Sequence, residues 1–211
     1  MLTNFIKIAW RNLIRNKAFS AINIIGLALG LATCMLISLF VLDELSYDRF
    51  HEKADRIVRV FFRGTMQGGK MNESHVMPPV AQTLKADYPE VQEATRLRMG
   101  GSPFINYGDK TFRDASLVYV DSNFFQVFSF PLLQGGAKTA LVRPNTAVIT
   151  QELAHKYFGN ADPIGKVLTI ESWNTTYQVT GVIDRIPTNS HIRADFFASM
   201  ASFRKRKPLP G

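Results

Sequence analysis

The chain of 211 residues is 46% hydrophobic and carries 25 lysines and arginines against 17 acids, a net charge of +8. That composition belongs to a folded protein rather than a disordered one. The surplus sits at the two ends, in Lys7, Arg11, Arg15 and Lys17 and in Arg204, Lys205, Arg206 and Lys207. Residues 43–203 are neutral, so a nucleic-acid-binding domain lacks its electrostatic footprint.

Residues 1–17 form a basic segment with helical periodicity. Leu2, Phe5, Ile6, Ala9, Trp10 and Leu13 fall on one side of a wheel, and Asn4, Lys7, Arg11 and Arg15 fall opposite. This pattern predicts a helix lying on the inner membrane surface in contact with lipid; continuation of the following helix is the plainer alternative. From Ala18 to Leu42 there are 25 residues without a charge. As a helix they would reach about 37 Å, enough for a bilayer core of about 30 Å. A cleaved export signal has an apolar region of about 7 to 15 residues, shorter than this run. With cations before the run and Asp43 and Glu44 after it, the positive-inside rule places the N-terminus in the cytoplasm and everything beyond residue 43 outside. Gly26 and Gly30 form a G-x-x-x-G spacing, and these two are the candidate helix-packing residues. The single cysteine, Cys34, lies inside the run, so no intrachain disulfide forms.

Beyond the run, residues 57–64 (IVRVFFRG) predict a strand that ends at the turn-like QGG. A short helix starts near Pro79 and closes before Pro89, with Val80 and Leu84 inward. Strands are predicted over 91–99, on both sides of the Gly108-Asp109 turn, and over 116–121. An aromatic helix follows over 122–130, capped by Asp121 or Ser122. The second half predicts a strand at 146–150, a helix at 151–159 ending on Gly159, and strands at 166–170 and 176–186. Strands and helices mix without a strict βαβ rhythm, so the fold class is α+β: one N-terminal transmembrane helix, then a mixed α/β extracytoplasmic domain. The expected division is 1–17 basic amphipathic segment, 18–42 transmembrane helix, 43–203 extracytoplasmic domain and 204–211 basic tail.

Gly64, Gly69 and Lys70 imitate the start of a phosphate-binding loop, but Met71 stands where a magnesium-binding hydroxyl is needed. A polar hairpin turn is the better reading. His51, His75, His155 and His191 lack metal-ligand spacing and read as solvated or locally hydrogen-bonded. No G-x-S-x-G elbow is present, and no catalytic, cofactor-binding or metal-binding residue is assigned.

Several stretches, in order along the chain, resemble the MacB-like and FtsX-like permeases of ATP-binding-cassette (ABC) transport systems, in the form with a MacB-type periplasmic core domain. They are IAWRNLIRNKAFSAINIIGLALGLA, ELSYDRFHEKADRIVRV, FFQVFSFPLLQGG, TAVITQELAHKYFGNADPIGKVL and VTGVIDRIPTNSHIRADF. The resemblance implies an inner-membrane protein that is not itself an enzyme. Its partners would be a cytoplasmic ABC ATPase subunit and a second permease copy, and it would pass motion from the ATPase to the periplasmic domain. The family places further membrane helices after that domain, so the resemblance implies an N-terminal fragment whose sheet keeps an unpaired edge. A single-span anchored sensor or binding module is the alternative, and a periplasmic enzyme a third reading for which no constellation is visible.

Overall fold

The computed structural model describes residues 2–66, 69–113 and 115–204. The chain divides into two compact units, Met1–Tyr47 and Asp48–Gly211. The first consists of α1 (Leu2–Arg15) and α2 (Lys17–Ser46). The two helices are distinct: Asn16 leaves helical geometry at φ −112° and ψ 54°. Hydrogen bonds from Asn16 N to Asn12 O and from Ser20 N to Asn16 O still bracket the break. Among the described residues α2 is the helix long and apolar enough to cross a membrane. It continues past the charged pair Asp43–Glu44 to Ser46, whose hydroxyl donates to Asp43 O at 2.6 Å. The end of the apolar run is therefore not the end of the helix.

The second unit is built on a nine-stranded open sheet. Its strands are β3 (Leu97–Gly101), β4 (Ile105–Tyr107), β5 (Lys110–Phe112), β6 (Leu117–Val120), β7 (Leu132–Gln134), β8 (Thr146–Thr150), β9 (Val167–Ile170), β10 (Thr175–Ile183) and β11 (Phe196–Ser199). The order is β3-β6-β11-β8-β10-β9-β4-β5, ending on β3 and β5. Most pairs are antiparallel, but β10 runs parallel to β8 and β11 parallel to β6. One side of β10 follows β8, while its other side takes β9 along the first half and β7 at Val182 and Ile183. Gly181 makes this crowding possible, since a Cβ there would meet Val148, Leu132 and the carbonyl of Gln134 at 3.1–3.2 Å.

Side chains alternate between the two faces of the sheet, and each face builds its own core. Leu117, Tyr119, Ile149, Phe196 and Tyr177 pack on one face with Leu153, Tyr157 and Phe158 of α5 (Gln151–Phe158). Val118, Val120, Val148 and Phe197 pack on the other with Phe124 and Phe125 of α4 (Phe124–Val127) and with Phe130 and Leu141. Helix α5 begins at Thr150, whose hydroxyl accepts from Leu153 N at 3.3 Å, and stops at Gly159 with φ 62°. Helix α3 (Val80–Asp87) begins after Pro79, with Val80 and Leu84 half-buried, and α6 (Met200–Arg204) follows β11 directly.

Several predicted elements shift. Residues 57–61 form no strand; β1 (Phe62–Met66) pairs instead with an unpredicted strand, β2 (Gly69–Glu73), in a separate hairpin. Gly64 and Lys70 thus sit on two hairpin strands, as the turn reading expects, while Gln67 and Gly68 of the turn itself lie outside the described residues. The strand predicted over 91–99 starts at Leu97; the Arg96 N–H donates to the Asp121 carboxylate at 2.9 Å instead of to a neighbouring strand. That same pair explains the aromatic helix: Asp121 faces Arg96 rather than capping, and α4 starts one residue after Ser122–Asn123 without a side-chain cap. Strands β7 and β11 were not predicted. The basic tail over residues 205–211 lies outside the described residues.

Candidate functional site

Two places carry residues whose arrangement exceeds what packing requires. The first is a clamp at the start of the second unit, two residues after α2 ends in the sequence. Asp48 adopts φ 56°, a left-handed conformation that Asp tolerates better than most residues. In that conformation its N–H donates to Asn189 O at 2.9 Å, while its carboxylate faces the β10–β11 loop. One oxygen accepts from Ser190 Oγ and from His191 N, both at 3.1 Å; the other lies 2.7 Å from His191 Nδ1. Burial works against the carboxylate's charge, but the hydrogen bonds from His191 and Ser190 and the charge of His191 outweigh it and hold the Asp48 pKa below its ordinary value. Ser190 is buried and also accepts from Ile192 N.

Three residues on, His51 is only 4% exposed and sits among Phe50, Phe128 and Phe130, the last two meeting it edge to face at 5.2 and 5.0 Å. Its Nδ1 accepts from Ser129 N at 3.2 Å, which assigns the proton to Nε2, and Nε2 has no hydrogen-bond partner. Burial lowers its pKa from 6.5, partly opposed by the charge of Asp48. His51 is therefore a buried, hydrogen-bonded core residue rather than a solvated one, the second of the two readings the sequence offered. Glu52 N donates to Ser129 Oγ and Lys53 Nζ to Gln126 O, so residues 48–53 are stitched to two separate parts of the sheet domain. Sequence reasoning missed this clamp. Asp48 and His191 stand in two of the stretches that carry the family resemblance, but nothing in either stretch points to the other.

The second place is the predicted packing face of α2. Gly26, Gly30, Thr33, Cys34 and Ser38 share one side of the helix. The Thr33 hydroxyl donates back to Leu29 O at 2.9 Å, which satisfies it within the helix. Among the described residues, a Cβ added at Gly26 or Gly30 meets nothing within 4 Å. Among the described residues, no group of three or more His, Cys, Asp or Glu side chains is placed to hold a metal ion.

The sequence profile of the family described as "MacB-like periplasmic core domain" matches residues 20–209. No curated protein matches the chain. Among solved structures, a domain of a protein classed as a permease from Porphyromonas gingivalis shares 29% identity at a TM-score of 0.65, covering 72% of this chain and 66% of that one. The periplasmic region of MacB from Actinobacillus actinomycetemcomitans shares 20% identity at 0.49, covering 67% and 64%. The extracellular domain of the noncanonic ABC-type transporter YknZ from Gram-positive bacteria shares 17% at 0.39, covering 53% and 57%. With TM-scores below 0.5 the latter two carry no weight, and in all three the chain spans less than two thirds of the other structure. The profile match extends from within α2 through the whole described sheet domain. The chain belongs to the MacB-like periplasmic core domain family.

Proposed function

We propose that this chain is the N-terminal part of an ABC transporter permease subunit and that its role is mechanical rather than catalytic. Helix α2 spans the cell membrane with its N-terminus in the cytoplasm, α1 lies on the inner surface, and the sheet domain stands outside. Motion originating at a cytoplasmic ATPase reaches the domain through α2. The face bearing Gly26 and Gly30 packs against other permease helices, in the same subunit or in a second copy.

The observation that carries this reading is the clamp. A helix that only anchored a sensor could be joined to its domain by a loose linker. Here Ser46 ends α2, and by Asp48 the backbone and side chain are already bonded to residues 189–191. A short connection tied at both Asp48 and His51 lets a displacement of the helix end act on the sheet domain instead of dissipating in slack chain. The domain's membership of a transporter-associated family supports the same role.

The topology is tested by cysteine labelling in a Cys34→Ser background, with Thr3→Cys and Ser102→Cys as reporters. A membrane-impermeant maleimide should label position 102 in intact spheroplasts and reach position 3 only after permeabilisation; the reverse pattern overturns the orientation. The coupling is tested by reconstituting the chain with the remaining permease segments and the ATPase. Transport-coupled ATP hydrolysis should fall in Asp48→Ala and not in the exposed control Ser102→Ala. Stimulation of the ATPase by this chain alone would overturn the proposal that further permease helices are required.

A further inference from the structure

Residues 48–53 are tied to the sheet domain twice, and the second tie hangs on an atom that acid converts from acceptor to donor. His51 Nδ1 accepts from Ser129 N at 3.2 Å, with the ring buried among Phe50, Phe128 and Phe130. The bonds beside it, Glu52 N to Ser129 Oγ at 3.3 Å and Lys53 Nζ to Gln126 O at 3.2 Å, join the same two segments. Because Nε2 already carries a proton, a further proton on the imidazole goes to Nδ1. Nδ1–H then faces the Ser129 N–H, donor against donor, and the bond between the segments is lost. The backbone on both sides of Ser129 is held, with Phe128 N donating to Phe124 O and Phe130 N to Phe128 O, so it does not turn to offer a carbonyl instead.

The charges nearby do not replace that bond. The segment of His51 itself carries Asp48, Arg49, Glu52 and Lys53, and residues 124–130, which pack against the ring, carry no charge. The loop over 184–193 brings Asp184, Arg185, His191 and Arg193, and Arg193 is engaged with the carbonyls of Thr188 and Ser190. Asp48 favours a charge on His51, but its carboxylate is occupied by Ser190 and His191, and burial, the larger effect, opposes the charge. The first tie responds to acid in the opposite sense. Asp48 keeps its bonds from Ser190 Oγ and His191 N until the carboxylate itself takes a proton, and a charged His191 turns the 2.7 Å contact into an ion pair. We infer that residues 48–53 form a proton-operated latch, in which one proton on His51 releases residues 51–53 from the 126–129 segment while Asp48 stays tied to residues 189–191. Its consequence for transport rests on the mechanical role proposed above: with the latch open, a displacement of α2 reaches the sheet domain through the β10–β11 loop alone.

The test follows amide exchange in the full chain in detergent micelles between about pH 8 and about pH 4.5, on either side of the ordinary histidine range. Protection of the Ser129 and Glu52 amides, corrected for the intrinsic pH dependence of exchange, should be constant above about pH 6.5 and fall about ten-fold per pH unit below it. The Asp48 and His191 amides, which donate to Asn189 O and to the Asp48 carboxylate, should keep their protection over the same range. His51→Asn retains an acceptor oxygen near the place of Nδ1 and takes up no proton, so its Ser129 amide should show no such fall. Should that variant not fold, the contrast within the parent between Ser129 and Glu52 on one side and Asp48 and His191 on the other decides the matter alone. Constant protection at Ser129 down to about pH 4.5, loss at Ser129 and His191 together, or an equal fall in His51→Asn would each overturn the latch. These readouts involve neither the ATPase nor companion helices, so the latch stands or falls separately from the transport role.

Discussion

Replacing Asp48 by alanine removes the centre of the clamp, and its cost can be built from the geometry. Two hydrogen bonds to the carboxylate, from Ser190 Oγ and His191 N, are lost. Bonds to a charged group contribute about 1.5–3 kcal/mol each when shielded; with the Asp48 side chain 36% exposed, about 1 kcal/mol each is the better figure. The contact with the exposed His191 ring adds about 0.5 kcal/mol. Alanine at φ 56° costs about 1 kcal/mol more, since its Cβ crowds the carbonyl in the left-handed region. Asp48→Ala should therefore destabilise the sheet domain by about 3.5 kcal/mol. Asp48→Asn keeps an oxygen acceptor and tolerates the same backbone, and should cost only about 1 kcal/mol. Asp48→Gly should be about 1 kcal/mol milder than alanine, because glycine accepts the positive φ. Urea unfolding of the full chain in micelles, read by Trp173 fluorescence in a Trp10→Phe background, measures all three. Hydrogen exchange at residues 188–192 should rise in parallel. An alanine variant within about 0.5 kcal/mol of the parent, or no worse than Asp48→Asn, would show that the clamp contributes nothing.

The clamp also makes stability pH-dependent in one direction. His51 has a folded pKa below its ordinary 6.5, so its contribution is complete above that value and is lost as pH falls toward the folded pKa. Asp48 has a folded pKa below its ordinary 3.8, so its contribution is present above that value and is lost as pH falls through the folded pKa. Urea midpoints should be flat above about pH 6.5 and decline below it; in His51→Phe the decline should be confined to the carboxylate range, and an unchanged profile would refute the role given to His51. In α2, a Cβ at position 30 meets nothing within 4 Å among the described residues, and Gly30→Ile improves helix propensity by about 0.5 kcal/mol, so the isolated helix should not suffer. Association with companion permease helices in a bilayer assay should nonetheless weaken, and unaltered association would remove Gly26 and Gly30 from the packing face.

What could be read from the sequence depended on how local the signal was. The strand at Thr146–Thr150 and the helix at Gln151–Phe158 are where they were expected. A β-branched run, a capping threonine and a glycine able to take φ 62° each act within a few residues. Strand β11, Phe-Phe-Ala-Ser, is buried on both faces and only four residues long, so it shows neither alternation nor length. Its strand state comes from its neighbours β6 and β8. The opposite error occurred at Ile57–Phe61, where propensity is strong but the opposing chain turns away at Ser74. The clamp was invisible for a third reason. Asp48 and His191 lie 143 residues apart, and a single aspartate and a single histidine carry no pattern until the fold brings them together.

The position of β11 also governs how the domain can be made. In the sheet order, β3 and β6 stand on one side of it and β8, β10, β9, β4 and β5 on the other. Among the described residues the two blocks meet within the sheet only through Phe196–Ser199. Until those four residues arrive, a nascent chain holds two partial sheets, each presenting an apolar edge: Val118 and Tyr119 on one, Val148 and Ile149 on the other. Parallel pairing of β11 with β6, nearly eighty residues away, is a slow, non-local step. The two partial sheets therefore stay exposed to wrong partners during biosynthesis until Phe196–Ser199 is inserted between them.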